Sequence, residues 1–172
     1  MTQQITPNLW FNGNAKEAID FYLSVFKDSK ILSTDYYTEV QENITGHKKG
    51  DLLTIEFELL GTRFVAINAG PEFVFNASVS FSVECETQEE IDYYWGKLSA
   101  HPEFEQCGWL QDKYGLTWQI VPKALGEMLA KGTRQALYHG DGLGRGPGPL
   151  SARRADPGPP GTRGCLTPRL CR

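Results

Sequence analysis

The residues best suited to acid-base chemistry lie in one short segment, residues 54 to 59. There Glu56 and Glu58 alternate with apolar side chains. In a β-strand, such alternation places both carboxylates on the face opposite the apolar residues. A carboxylate inside a restricted cavity can exchange a proton with a ligand, so Glu56 is the candidate general base. The same spacing is also typical of a solvated strand face, and the catalytic residue is therefore left unknown.

A second group of residues carries hydroxyl, amide and indole groups. Serines at 78, 80 and 82 alternate with apolar residues, as in a half-buried strand, and residues 5 to 11 have a similar pattern. If these polar positions line a cavity, they suit a small polar or partly aromatic ligand. The candidate ligand-binding residues are Thr6, Asn8, Trp10, Asn68, Ser78, Ser80 and Gln119. Trp10 equally fits a core or dimer-interface position.

An internal repeat organises the segments that position these residues. Residues 16 to 22, KEAIDFY, recur at 88 to 94 as QEEIDYY, an offset of 72. Apolar residues at helical spacing predict helices over 15 to 26 and 88 to 99. One strand precedes each helix and three follow it, at 30 to 38, 52 to 60 and 63 to 69, and then at 104 to 107, 109 to 113 and 116 to 121.

The order β-α-β-β-β, taken twice, predicts an α+β fold. The two βαβββ modules span about residues 4 to 70 and 77 to 122. We expect them to form a curved mixed sheet with a cup, within one domain over residues 1 to 130.

The composition changes after Ala130. Residues 131 to 172 are rich in Gly, Pro and Arg and poor in apolar residues, which predicts a disordered tail. The tail holds eight Lys/Arg and two Asp/Glu, against nine and nineteen in residues 1 to 130. An acidic domain lacks the clustered basic groups that neutralise phosphates, so we expect no nucleic-acid partner.

Other classes of function find no support in the sequence. No run approaches the roughly 18 apolar residues of a membrane-spanning helix, which predicts no membrane association and a cytoplasmic protein. The sequence contains no CxxC pair and no His at zinc-ligand spacing, so it does not indicate a zinc site. It also contains no GxSxG motif, which would indicate a nucleophilic serine.

Four segments, in this order, resemble the vicinal oxygen chelate superfamily, the group of glyoxalases, bleomycin resistance proteins and dioxygenases. They are LWFNGNAKEAIDFY, FVAINAGPEF, CETQEEIDYYW and CGWLQDKYGLTWQIVP. The likeness is greatest to the PhnB-like branch, often labelled demethylubiquinone methyltransferase-like, and covers about residues 4 to 129. It stops abruptly after Met128; one explanation is a shifted reading frame, which would make the tail non-native. Members of the superfamily commonly dimerise, so we expect a homodimer.

Metal-dependent members of the superfamily bind a divalent ion through side chains on the first, fourth, fifth and eighth strands. Carried over by position, these are Thr6, then Ala66 or Asn68, then Ser78 and Gln119. None is a histidine or a carboxylate, and neutral hydroxyls and amides alone make a poor divalent-cation site. We therefore expect no superfamily metal and no other cofactor.

Two functions follow from the resemblance. The first is a PhnB-like protein that binds a small-molecule ligand in the cup without a metal. The alternative is an enzyme of the same superfamily, a lyase, isomerase, transferase or dioxygenase, with Glu56 as base or with metal ligands at other positions. The methyltransferase label is treated as nomenclature, because the commonest methyltransferase scaffold is a parallel doubly wound sheet.

Overall fold

The computed structural model describes residues 3 to 125. They divide into two compact units, the first ending at Asn76 and the second beginning at Ala77. The predicted tail, residues 131 to 172, lies outside the described residues.

The first unit is a four-stranded sheet with two helices. In chain order its elements are β1 (Asn8–Asn12), α1 (Ala15–Val25), β2 (Ser29–Tyr36), α2 (Glu39–Thr45), β3 (Leu52–Leu59) and β4 (Thr62–Ala69). The strands lie in the order β1-β4-β3-β2. β1 and β4 run parallel, whereas the other neighbouring strands are antiparallel.

Helix α1 covers one face of this sheet. Gly13, with φ of 75°, turns the chain so that the helix starts directly after β1. The buried residues of α1 recur every three or four positions and pack against β3 and β4; they are Ala15, Ala18, Ile19, Tyr22 and Val25. The sheet contributes the buried side chains Leu9, Phe11, Ile55, Phe57, Phe64 and Ala66. Each large apolar side chain buried here stabilises the fold by about 1.5–3 kcal/mol.

A tight turn joins β3 to β4 and fixes their register. Leu60 and Gly61 both have positive φ, 47° and 79°, as in the two-residue turns that match the twist of antiparallel strands. Leu59 consequently lies opposite Thr62, and Glu58 lies opposite Arg63.

The second unit is a three-stranded sheet with one α-helix. Its elements are β5 (Phe81–Cys85), α3 (Gln88–Leu98), β6 (Trp109–Gln111) and β7 (Thr117–Pro122). The strand order is β5-β7-β6, with β5 and β7 parallel. Thr87 caps α3, because its hydroxyl accepts a hydrogen bond of 3.3 Å from the Glu90 amide. Ile91 and Leu98 are the buried residues of this helix.

The predicted α+β class is confirmed, with one mixed sheet in each unit. Three details differ from the sequence prediction. The strand predicted over residues 104 to 107 is wrong, because a 3-10 turn occupies Pro102–Phe104 and only one bridge, between Gln106 and Trp109, follows. Helix α2 was not predicted, and β5 begins at Phe81 rather than at residue 78.

Among residues 3 to 125, no helix has both the length and the apolar character that a membrane crossing requires.

Candidate functional site

The face of the first sheet opposite α1 holds most of the predicted site residues of this unit, and we call it the polar face. Paired residues on neighbouring strands point to the same side of a sheet. Thr6 lies just before β1, where the Val65 amide donates a 3.0 Å hydrogen bond to the Pro7 carbonyl. In rows across the sheet, the polar face consists of Arg63, Glu58 and Lys30, then Asn8, Val65, Glu56 and Ser33, then Trp10, Ile67, Thr54 and Asp35. Thr6 precedes β1 and lies beside the first row, where it lines the same cavity as Arg63.

Four charged side chains of the polar face form two ion pairs. Arg63 Nε lies 2.9 Å from Glu56 Oε1, and Lys30 Nζ lies 3.3 Å from Glu58 Oε1. Ser33 donates a 3.3 Å hydrogen bond to Glu56 Oε2. The side chains of Glu56 and Glu58 are only 27% and 30% exposed. Each oxygen of Glu56 thus already accepts one contact, and a ligand that donates a proton to Glu56 shares these oxygens with Arg63 or Ser33.

Trp10 is held in a fixed orientation at the other end of the polar face. Its indole Nε1 donates a 2.9 Å hydrogen bond to the Gly70 carbonyl. The Phe73 ring meets it edge to face, with ring centroids 5.0 Å apart. Since its polar group is satisfied within the protein, half-buried Trp10 can offer its ring to a ligand through apolar and stacking contacts.

An open cavity of about 580 Å³ lies at the β3–β4 end of the first sheet. Its wall consists of Gln4, Ile5, Thr6, Leu32, Glu58, Gly61, Thr62 and Arg63. Leu32 reaches the cavity because β2 carries a bulge: Ile31 pairs with Phe57 and Ser33 with Glu56, which leaves Leu32 as the extra residue. Bulges of this kind re-aim a side chain, and here the result is an apolar group beside a charged row.

Asn68 lies on the opposite side of the sheet from Trp10. It pairs with Phe11, whereas Trp10 pairs with Ile67. Its Oδ1 accepts a 3.1 Å hydrogen bond from the Ala15 amide at the start of α1, and its Nδ2 donates one of 3.2 Å to the Leu52 carbonyl. Asn68 and Trp10 therefore do not share a face, and the prediction that both line one cavity is wrong.

The other candidate on β4, Ala66, also faces α1, because it pairs with buried Leu9. The two hydrogen bonds of Asn68 fix the start of α1 against the sheet. We therefore infer no ligand-binding role for Asn68.

The second sheet brings two predicted residues together. Gln119 Nε2 donates a 2.8 Å hydrogen bond to Ser80 Oγ. Gln119 pairs with Ser82 on one side and with Trp109 on the other, so this row combines an amide, a hydroxyl and one aromatic ring. Glu84, two residues after Ser82, adds a carboxylate to the same face. Ser78 is exposed in a turn before β5, so its predicted strand position is wrong.

Three buried polar residues of the second unit, Gln111, Asp112 and Thr117, were not identified from the sequence. Asp112 is fully buried and accepts hydrogen bonds from the Tyr114 amide, the Leu116 amide and Trp118 Nε1, at 2.9, 3.0 and 2.8 Å. We call this set of three hydrogen bonds the Asp112 clamp. The Asp-x-x-Gly pattern at residues 112 to 115, between two strands, is the sequence feature that indicates such a turn. Within residues 3 to 125, the buried Thr117 hydroxyl has no hydrogen-bond partner.

The residues at the superfamily's metal positions do not fit a divalent cation. Thr6, Asn68, Ser78 and Gln119 supply hydroxyl and amide groups and no anionic oxygen or imidazole. Asn68, moreover, uses both of its polar atoms on the backbone. Over the described residues, no three His, Cys, Asp or Glu side chains converge. The absence of the metal from the protein stays a prediction.

Comparison with known proteins extends the resemblance. The family model of 3-demethylubiquinone-9 3-methyltransferase matches residues 3–121. A solved structure from Bacillus cereus, described as a putative 3-demethylubiquinone-9 3-methyltransferase and PhnB protein, is 37% identical, with a TM-score of 0.55; the match covers 69% of this chain and 98% of that one. The comparison with curated proteins finds no match.

Two more distant structures were also found. Protein PA1353 from Pseudomonas aeruginosa is 18% identical over 69% of this chain and 96% of its own, with a TM-score of 0.52. The fosfomycin resistance protein FosX from Listeria monocytogenes is 14% identical over 76% of this chain and 98% of its own, with a TM-score of 0.48. The family model and the Bacillus cereus structure establish that this chain belongs to the 3-demethylubiquinone-9 3-methyltransferase family, the PhnB-like branch of the vicinal oxygen chelate superfamily.

Proposed function

We propose that the chain binds a small organic molecule on the polar face of its first sheet and does so without a metal ion. The observation that carries the proposal is the cavity of about 580 Å³ at one end of this face. Its size falls within the range of roughly 300–1,000 Å³ that small-molecule sites occupy. Its wall combines apolar Leu32 with the polar groups of Thr6, Glu58 and Arg63.

The preorganisation of the face supports binding. Arg63 and Glu58 are each braced by an oppositely charged neighbour, and the Trp10 ring is fixed by its hydrogen bond to Gly70. Side chains that are already ordered lose little rotamer entropy when a ligand arrives, so more of the interaction energy remains as affinity.

The donor chemistry supports the metal-independent part of the proposal. Neutral hydroxyl and amide groups form hydrogen bonds with an organic ligand at little cost, whereas they repay the dehydration of a divalent cation poorly. The carboxylates of Glu56 and Glu58 on the polar face form ion pairs with Arg63 and Lys30.

We do not propose methyl transfer, in spite of the family's description. The commonest methyltransferase scaffold binds its cofactor at a glycine-rich turn of a parallel, doubly wound sheet. In the described part of the chain, each sheet contains one parallel pair, and the remaining pairs are antiparallel. Nor does a specific contact favour Glu56 as a base, because Arg63 and Ser33 hold its two oxygens.

Thermal unfolding of the full chain against a library of small metabolites tests the proposal. The library is screened once in EDTA and once with zinc, manganese, nickel or iron. A ligand present at 100 times its Kd should stabilise the protein by about 2.7 kcal/mol, which is a shift of several degrees. We expect such shifts in EDTA and no increase with metal; a shift that appears only with metal would refute metal independence.

Substitution at Leu32 locates the binding site, because Leu32 lines the cavity. Leu32→Ala should reduce the ligand-induced shift, measured against the variant's own melting temperature, and Leu32→Met should retain part of it. Ile44→Ala is the matched control, because Ile44 is an exposed apolar residue of α2 that does not line the cavity. Equal shifts in Leu32→Ala and in the unchanged protein would place the ligand elsewhere.

A further inference from the structure

The wall of the cavity contains one positive and one negative side chain on neighbouring strands. Arg63 on β4 lies directly opposite Glu58 on β3, and both line the cavity. Side chains opposite each other in an antiparallel pair have Cβ atoms roughly 4.5–5.5 Å apart. The cavity wall therefore carries two opposite charges on adjacent strands, within the span of one small molecule.

These two charges are paired with other residues and not with each other. Arg63 contacts Glu56 through Nε, and Glu58 contacts Lys30 through Oε1. Neither Glu56 nor Lys30 lines the cavity. In the part of the chain that the structure describes, Arg63 and Glu58 form no ion pair with each other, although the register makes them neighbours. The terminal amino groups of Arg63 and the second oxygen of Glu58 are not used by these ion pairs.

The charge pattern selects against ligands with one charge. A lone carboxylate beside Arg63 lies close to the like charge of Glu58, and a lone ammonium beside Glu58 lies close to Arg63. A molecule that carries both groups on adjacent atoms pairs with both side chains at once, and an arginine suits a carboxylate because its donors match the two oxygens. We propose that the cavity binds a zwitterion of the α-amino acid class, which carries an ammonium and a carboxylate group. This inference rests on the proposed function.

The apolar residues of the cavity wall indicate that the ligand carries an aliphatic side chain. Leu32, re-aimed by the bulge in β2, is 36% exposed beside the charged row, and Ile5 is 99% exposed at the same cavity. An aliphatic group placed against them removes apolar surface from water. Thr6 lies in the same wall and carries a hydroxyl group that can hydrogen-bond the ligand's charged end.

Three probes that share one isobutyl group test this proposal by calorimetric titration of the full chain. L-Leucine carries both charges, 4-methylpentanoate lacks the ammonium group, and 3-methylbutylamine lacks the carboxylate. We expect leucine to bind at least about tenfold more tightly than either analogue, since each analogue forms only one of the two charged contacts that leucine forms.

Two substitutions separate the two halves of the site. Arg63→Gln should abolish the preference for leucine over 3-methylbutylamine and keep the preference over 4-methylpentanoate. Glu58→Gln should do the reverse. Lys16→Gln is the control, because Lys16 forms an exposed ion pair with Asp20 on α1 and lines no part of the cavity. Circular dichroism checks that each variant is folded.

The outcomes distinguish this inference from the proposed function. Equal affinities for leucine and its analogues, or preferences that Arg63→Gln and Glu58→Gln leave unchanged, would overturn the zwitterion site. If none of the three probes binds while a library compound gives a shift that depends on Leu32, the zwitterion inference is wrong and the proposed function stands. If no library compound binds either, both are wrong.

Discussion

Removal of the Asp112 carboxylate should destabilise the protein severely. Asp112 is fully buried and accepts hydrogen bonds from two backbone amides and from Trp118 Nε1. A hydrogen bond to a charged group contributes roughly 1.5–3 kcal/mol, and a buried donor left without a partner adds its desolvation cost. Allowing for partial relaxation, we expect Asp112→Ala to lower the free energy of unfolding by about 4 kcal/mol. That is a large part of the roughly 5–15 kcal/mol that stabilises a typical domain.

Urea denaturation followed by circular dichroism measures this loss. With an m-value of about 2 kcal/mol per molar urea, the midpoint should fall by roughly 2 M. Asp112→Asn should be intermediate: the amide oxygen can still accept from the backbone, whereas the amide nitrogen placed near Trp118 Nε1 sets one donor against another.

A double-mutant cycle isolates the contact with the indole. Trp118→Phe removes the N–H that Asp112 accepts, so Asp112→Asn should cost about 1–2 kcal/mol less in the Trp118→Phe background than in the unchanged protein. Equal costs in the two backgrounds would show that the hydrogen bond to Trp118 carries no net energy, and the account of the clamp would be wrong.

Three further substitutions test single features of the two units. Thr117→Val should raise the urea midpoint, corresponding to a gain of about 1 kcal/mol, because it removes a buried hydroxyl without a partner in the described residues; a lower midpoint would mean that the hydroxyl is satisfied in solution. Asn68→Ala should lower the free energy of unfolding by about 1 kcal/mol, since α1 loses the acceptor for the Ala15 amide, and should leave ligand-induced shifts intact; lost ligand shifts with unchanged stability would restore its predicted binding role. Burial raises the pKa of the Cys85 thiol from 9.0 to about 11, so the folded state holds this proton more tightly than the unfolded chain. Stability should therefore fall as pH rises from about 9 to 11, and Cys85→Ala should lack this slope in urea titrations at several pH values; an unchanged slope in the variant would assign it to other groups.

Periodicity predicted the elements that bury an apolar stripe. The helices predicted over residues 15 to 26 and 88 to 99 are observed as Ala15–Val25 and Gln88–Leu98, each with its buried residues on one side. Helix α2 has no buried residue and so produces no stripe to detect. Its signals are local instead: the side chain of Gln41 accepts from the Thr38 amide at the start of the helix, and Gly46, with φ of 78°, ends it.

The wrong predictions at the site arose because strand register cannot be read from alternation within a single strand. Alternation assigns Trp10 and Asn68 to one face or the other of their own strands, but the relation between strands depends on register. The observed register pairs Asn68 with Phe11, and a shift of one residue would have placed it beside Trp10. The bulge at Leu32 is likewise invisible to alternation, because it depends on how β2 pairs with β3.

The internal repeat separates the positions that the two units share from the positions that differ between them. At the offset of 72, buried Phe11 corresponds to buried Val83, and buried Ile19 corresponds to buried Ile91, so the positions that hold each helix on its sheet keep their apolar character. The positions on the other face do not keep theirs: Trp10 corresponds to a serine at position 82. The first sheet consequently carries ion pairs and a fixed indole, whereas the second carries an amide-hydroxyl pair. One set of core constraints thus supports two different surfaces, and the ligand chemistry must be inferred from those surfaces and not from the fold that they share.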